Sequence, residues 1–176
     1  MSQEYLTYLH SPLGQLTLSS DGTALTGLWF QDQAHYAATL SEGPVRQDDL
    51  PVFQLTRQWL DDYFDGRMPD PARLPLAPAG TPFRRRIWQR LLEIPYGETV
   101  TYGQIARELG SAMSAQAIGG AVGHNPISII IPCHRVVGSS GSLTGYAGGV
   151  HIKKALLELE ETDMRGMFVP TKGTAL

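Results

Sequence analysis

The 176 residues are 42% hydrophobic and 18% charged, ordinary for a globular chain that buries a core as one domain or two small ones. No apolar run approaches a membrane span and no signal peptide opens the chain, so no membrane is expected, and a single cysteine excludes a disulfide framework and points to a reducing, cytoplasmic setting. The net charge of −3 argues against nucleic acid only as a sum: residues 1–80 carry ten acids against four arginines, residues 81–176 ten bases against seven acids, so the second half suits an anionic partner.

In chain order, Tyr5–Leu9, Gln15–Leu18 and Leu25–Phe30 alternate as strands between turns at Pro12, Gly14 and Asp21-Gly22, which predicts an antiparallel meander. His35 to Leu40 is expected as a short helix and Ser41 to Asp49 as loop. Val52 to Phe64 reads as a helix stopped by Gly66 and Pro69. Pro69, Pro71, Pro75 and Pro78 predict a stiff linker, dividing the chain into 1–78, an α/β domain, and 79–176.

Thr81-Pro82 starts the next helix, with Thr as cap and Pro at its first position; Arg84, Arg85, Arg86 and Arg90 lie on it, either as a solvated face or as a binding one. Pro95-Tyr96-Gly97 ends it. Thr101 caps Tyr102 to Leu109, closed by Gly110, and Ser114 opens a third helix to about Gly123. The last two have the proportions of a helix-turn-helix or of a plain helical hairpin. The third is rich in Ala115, Ala117, Gly119, Gly120, Ala121 and Gly123, which signals close approach to another backbone or to a ligand surface.

Ile127 to Ile131 is expected as a buried strand ended by Pro132, which would hold Cys133 at a strand terminus. A free cysteine there ordinarily fills space. The adjacent His134 and Arg135 favour a reactive thiolate, reached directly or through water. The five histidines have no ligand-like spacing, so neither a metal nor a cofactor is expected. A final helix runs from about Val150 to Glu161, with Ile152, Leu156, Leu157 and Leu159 inward, and the tail after Asp163 reads as poorly specified.

Pro132-Cys133-His134-Arg135-Val136, Gly145-Tyr146-Ala147-Gly148-Gly149, and Leu156-Leu157 with Glu160 follow Thr81-Pro82-Phe83, Pro95-Tyr96-Gly97, Tyr102-Gly103-Gln104 and Gly119-Gly120-Ala121 with Asn125-Pro126. Together they resemble the O6-alkylguanine-DNA alkyltransferases, over about residues 81–161. The resemblance implies a two-domain α/β (α+β) protein. Its N-terminal domain would be a small antiparallel sheet with helices, ribonuclease H-like, and its C-terminal domain a helical winged helix-turn-helix. It implies direct-reversal repair: a monomer binds duplex DNA in the minor groove, flips an alkylated guanine and moves the alkyl group irreversibly onto Cys133. O4-alkylthymine and cooperative assembly on DNA stay open.

On this resemblance His134 is the general base through water, Glu160 orients it, Asn125 holds the turn before the active segment, and Tyr102 donates to guanine N3. Tyr146 walls the pocket, the Val136 carbonyl reads the guanine amino group, and backbone N–H groups around Tyr146, Ala147 and Gly148 receive the oxygen. Ala115, Gly119 and Gly120 would lie in the groove, with Arg85, Arg86 and Lys153 on phosphates. Gln116 stands where the family's intercalating arginine is expected, a departure that predicts weaker flipping. The competing readings are a recogniser of alkylated bases without transfer, which typically lacks the cysteine, and a Cys-His-Glu hydrolase, which needs an oxyanion hole and turns over.

Overall fold

The computed structural model describes residues 3–110 and 114–170, and the chain divides into two compact units. The first comprises residues 1–80 with 126–130, the second 81–125 with 131–176.

In the first unit, β1 (Tyr5–Ser11), β2 (Gly14–Ser20) and β3 (Leu25–Phe30) form the expected antiparallel meander. Gly14 takes φ 118 at the first turn, and the Asp21 carboxylate accepts from the amides of Thr23 and Ala24 at the second. The expected loop 41–49 contains a short β4 (Val45–Arg46) that pairs parallel to β1, giving the order β3-β2-β1-β4. A two-residue strand carries no periodicity, so nothing in its sequence marks it.

The helix expected at 35–40 is absent. His35 and Ala37 adopt φ 58 and 53, and the segment is a succession of turns. α1 (Pro51–Phe64) buries Val52, Phe53, Trp59, Leu60 and Tyr63, while Leu55 on its other face is exposed. The proline-rich segment after it is bound rather than free: Leu25 N–H donates to Pro75 O, and Ala77 N–H donates to Leu25 O.

Ile127–Ile131 is not a strand. Only Ile127 bridges, to Leu28 of β3, before Ile129 turns at φ 71 and Ile130 N–H closes on Ser128 O. All five residues are buried, and burial alone accounts for the apolar run.

In the second unit, α2 (Pro82–Leu91) is capped by Thr81 and buries Ile87, Trp88 and Leu91. β5 (Val100–Thr101) pairs parallel to β6 (Val136–Val137), so this unit is not wholly helical. α3 (Tyr102–Leu109) is capped by Thr101 and α4 (Ala115–Gly123) by Ser114. Most of the turn joining them, residues 111–113, lies outside the described residues. Trp88 Nε1 donates to Ala121 O at 2.8 Å, pinning α4 on α2. α5 (Val150–Leu159) packs Val150 and Leu157 with Val137 and Leu143, and Met164 and Met167 cover that cluster. Residues 164–170, expected to be poorly specified, are therefore anchored; Leu143 N–H also donates to Phe168 O at 2.9 Å. Residues 171–176 lie outside the described set.

Candidate active site

Cys133 opens a 3-10 turn, Cys133–Arg135, that leads into β6. The thiol is thus carried by a tight turn and not by a strand end. Its residue is 4% exposed. Burial pushes the thiol above its usual range; the Asn125 amide, the Lys153 charge and the backbone N–H groups of Cys133 and His134 oppose that rise. Asn125 also donates from Nδ2 to Ile131 O at 2.8 Å, so one side chain spans the segment leading to the thiol.

His134 is wholly buried, and its Nε2 lies 2.6 Å from Glu160 Oε2. Glu160 is 2% exposed at the C-cap of α5. Its carboxylate also takes Arg135 Nε at 2.8 Å and a second guanidinium nitrogen at 3.2 Å, while Gly97 N–H approaches at 3.3 Å. Burial works to raise this carboxyl, but the contacts from His134 and Arg135 outweigh it and hold Glu160 well below the ordinary range. An ionised carboxylate only accepts, so Nε2 carries the imidazole proton and Nδ1 presents its lone pair. Nδ1 has no hydrogen-bond partner among the described residues. Burial keeps this histidine neutral by lowering its pKa, with Glu160 acting against that effect.

Arg135 also donates to Ile94 O at 2.7 Å and lies 5.7 Å from the centre of the Tyr96 ring. Tyr102, at the start of α3, donates its hydroxyl to Thr144 O at 2.9 Å. Burial, and then the Cys133 charge, push that phenol up to about 12. Gly145 takes φ 74, and a Cβ there would sit 2.9 Å from the Tyr102 hydroxyl, so glycine is required twice over. The Tyr146 ring stands edge-on to His134 at 6.4 Å. A thiol, an imidazole with an open lone pair, a carboxylate bonded to that imidazole, and a phenol all belong to one unit. Among the described residues, no group of three or more His, Cys, Asp or Glu side chains is placed to hold a metal ion, and no helix is long and apolar enough to cross a membrane.

Residues 82–162 match the family model for the 6-O-methylguanine DNA methyltransferase DNA binding domain, and residues 5–78 match that for its ribonuclease-like domain. The chain belongs to the 6-O-methylguanine DNA methyltransferase family. It is 45% identical over 163 residues to the methylated-DNA–protein-cysteine methyltransferase of Haemophilus influenzae, covering 92% of this chain and 88% of that one. The corresponding Methanosarcina barkeri protein is 41% identical over 164 residues, covering 92% and 99%. Among solved structures, the Mycobacterium tuberculosis protein OGT in complex with DNA is similar at a TM-score of 0.79 and 44% identity, over 89% of this chain and 92% of that one. These comparisons support the two-domain α/β architecture that the motifs implied.

Within this family member, Ala115, Gln116 and Gly120 are exposed on α4 and Gly119 is half-buried. Arg85 and Arg86 are exposed on α2, whereas Arg90 is engaged by Glu108 at 2.7 Å. Ala147 and Gly148 are half-buried in the loop before α5. Lys153 corrects an expectation. It is wholly buried and donates to Val136 O at 2.5 Å and Thr144 O at 2.7 Å, so it does not face a phosphate. The sequence carried the signal: Lys153 lies three residues after Val150 and three and four before Leu156 and Leu157, on the buried stripe. Sequence reasoning also missed Arg135 as the second partner of Glu160, since a contact between positions 25 residues apart leaves no local pattern.

Proposed function

We propose that this protein repairs duplex DNA by moving a methyl or other alkyl group from O6 of a flipped guanine to its own Cys133, once per molecule. The observation that carries this reading is the buried Glu160–His134 contact at 2.6 Å, one residue from the only thiol of the chain. In the sequence of events we infer, His134 Nδ1 takes the thiol proton through a water molecule. The Sγ lone pair then forms the S–C bond as the C–O6 bond breaks. The released electron pair passes into the purine, where Tyr102 supplies a proton or hydrogen bond to N3. Because burial holds the phenol near 12, that proton moves only as negative charge develops on the leaving base. The product is a thioether with no route back, hence a single turnover.

To serve the substrate, the Tyr102 hydroxyl exchanges Thr144 O for guanine N3. The Val136 carbonyl, which accepts from Lys153 on one lone pair, keeps a second for the guanine amino group. Tyr146 walls the pocket, and N–H groups around Ala147 and Gly148 receive O6. Asn125 fixes the turn behind α4.

The DNA-binding surface we infer is α3–α4, used as a helix-turn-helix in the minor groove. A Cβ built on Gly120 or Gly123 would meet nothing within 4 Å, so internal packing does not explain those glycines; a groove surface does. Ala115, Gly119 and Gly120 would approach the groove floor, Arg85 and Arg86 the phosphates, and Gln116 the space left by the flipped base. We assign DNA binding and chemistry to residues 79–176, with 1–78 as a separate α/β domain, and a monomer as the free form. Cooperative binding on DNA and action on O4-alkylthymine extend the same reading. A thiol that must stay reduced suits the cytoplasm.

Cys133→Ala and Cys133→Ser test the assignment. Both should keep fold and duplex binding and lose transfer from O6-methylguanine DNA. A variant that still removed the methyl group would refute the nucleophile.

A further inference from the structure

Lys153 is a wholly buried cation that makes no ion pair with any carboxylate among the described residues. It donates hydrogen bonds to two neutral carbonyls, Val136 O and Thr144 O. Burying a charged amine against neutral groups alone is costly, and such groups are retained where an anion compensates them or where function requires them. Nζ lies 5.8 Å from the centre of the Tyr102 ring on α3, and through Val136 O it is tied to the end of the 133–135 turn, where its charge acts on Cys133 and His134. Of these, Cys133 and Tyr102 become anions.

We propose that Lys153 is a positioning residue of the transfer reaction: its ammonium is the counter-ion of the Cys133 thiolate, and it holds the Thr144 carbonyl so that Tyr102 is free to turn to the substrate. This rests on the roles given above to Cys133 and Tyr102.

Two features carry it. First, Thr144 O accepts from both Lys153 Nζ and Tyr102 Oη. When the phenol leaves for guanine N3, the carbonyl keeps the lysine and is never left unpaired, which removes the desolvation cost of that movement. Second, the negative charge relocates around a fixed cation. Before transfer it sits on Sγ; the S–C bond neutralises sulfur, and protonation of guanine N3 by Tyr102 leaves the charge on the phenolate. The Cys133 charge acts on the ammonium and the Tyr102 ring centre lies 5.8 Å from Nζ, so one cation serves both positions while the net charge of the site is unchanged by the step. Burial pulls the Lys153 ammonium down to about 8 while the Cys133 charge pushes it back up, as expected of a pair that ionises together.

The test compares wild type with Lys153→Met. Cys133 alkylation by iodoacetamide, without DNA, is followed across pH by mass spectrometry, beside single-turnover transfer and the salt dependence of duplex affinity. In Lys153→Met the alkylation midpoint should rise by about one pH unit or more, and transfer at neutral pH should fall about tenfold or more, recovering as pH is raised. The slope of affinity against salt should stay unchanged, because the lysine touches no phosphate. An unaltered alkylation midpoint would overturn the proposal, as would a reduced salt slope with normal thiol reactivity.

A second measurement needs no variant. The titration of Lys153 Nζ, read by nitrogen-15 NMR in wild type before and after Cys133 is capped with iodoacetamide, should move to lower pH on capping; an unmoved titration contradicts the pairing. Both thiol arms work without damaged DNA, so failure of transfer itself would show separately, as DNA that keeps its methyl group.

Discussion

Replacing Glu160 by Gln preserves shape and removes only the charge, so it isolates the carboxylate. In the wild type that group is 2% exposed and receives two nitrogens of Arg135, at 2.8 and 3.2 Å, and the His134 ring at 2.6 Å. Arg135 is itself 8% exposed, so the substitution leaves a guanidinium buried without its anion. Breaking one side of such a pair costs about 3–5 kcal/mol. For a chain of this size that corresponds to a fall in melting temperature of roughly 6–20 °C. The chemical cost is separate. Gln offers His134 a weaker acceptor and competes as a donor, so the tautomer with Nδ1 open is no longer fixed, and transfer should slow by about 100-fold or more. Thermal unfolding followed by circular dichroism and single-turnover transfer from a methylated duplex measure the two effects. A Glu160→Gln protein that melts within 2 °C or so of wild type and transfers within about twofold would refute the relay, since effects that small lie at the scale of an ordinary surface change.

The same network sets an acid limit. His134 is held neutral and Glu160 ionised in the folded state, so the unfolded chain binds more protons as pH falls, first below the ordinary histidine value of 6.5 and then below the carboxyl value of 4.5. Stability should therefore decline in two consecutive windows on acidification, and Glu160→Gln should flatten the lower one in urea titrations; an unchanged lower window contradicts this. Gly145→Ala adds a Cβ at φ 74 and 2.9 Å from the Tyr102 hydroxyl, and should destabilise the fold by about 1–3 kcal/mol in urea unfolding while displacing the phenol and slowing transfer. Wild-type transfer in that variant would exclude Tyr102 from the chemistry. Gln116→Arg on the exposed face of α4 should raise duplex affinity and transfer rate; no gain in either counts against Gln116 lying at the flipped-base position.

Local chemistry was the legible part of this sequence. Thr81, Thr101 and Ser114 cap their helices through the side-chain bonds that such residues make, and the β1–β3 turns follow Gly14 and Asp21. Where the chain is shaped by distant partners, the sequence was silent or misleading. Ile127–Ile131 reads as a strand because burial and strand formation leave the same apolar run, yet only Ile127 finds a pairing partner. β4 exists only because β1 offers an edge to Val45 and Arg46. The segment after Asp163 is held by Gly141 and Leu143, which bond to the backbone of Phe168, rather than by any propensity of its own. Lys153 shows the same limit at the site: a lysine ordinarily marks a solvated surface, and only its place on the apolar stripe of α5 betrayed its burial. Only resemblance to a family pairs His134 with Glu160, since 26 positions separate them and no periodicity joins them.

The central claim is that the alkyl group ends on one sulfur. Intact-mass and peptide-mapped mass spectrometry, after the protein is mixed with a stoichiometric O6-methylguanine duplex, reads this directly. We expect one methyl group per chain, located on Cys133, with guanine restored in equal amount and no second round when fresh duplex is added. An unmodified Cys133 alongside repaired DNA, or guanine released beyond one equivalent, would contradict it.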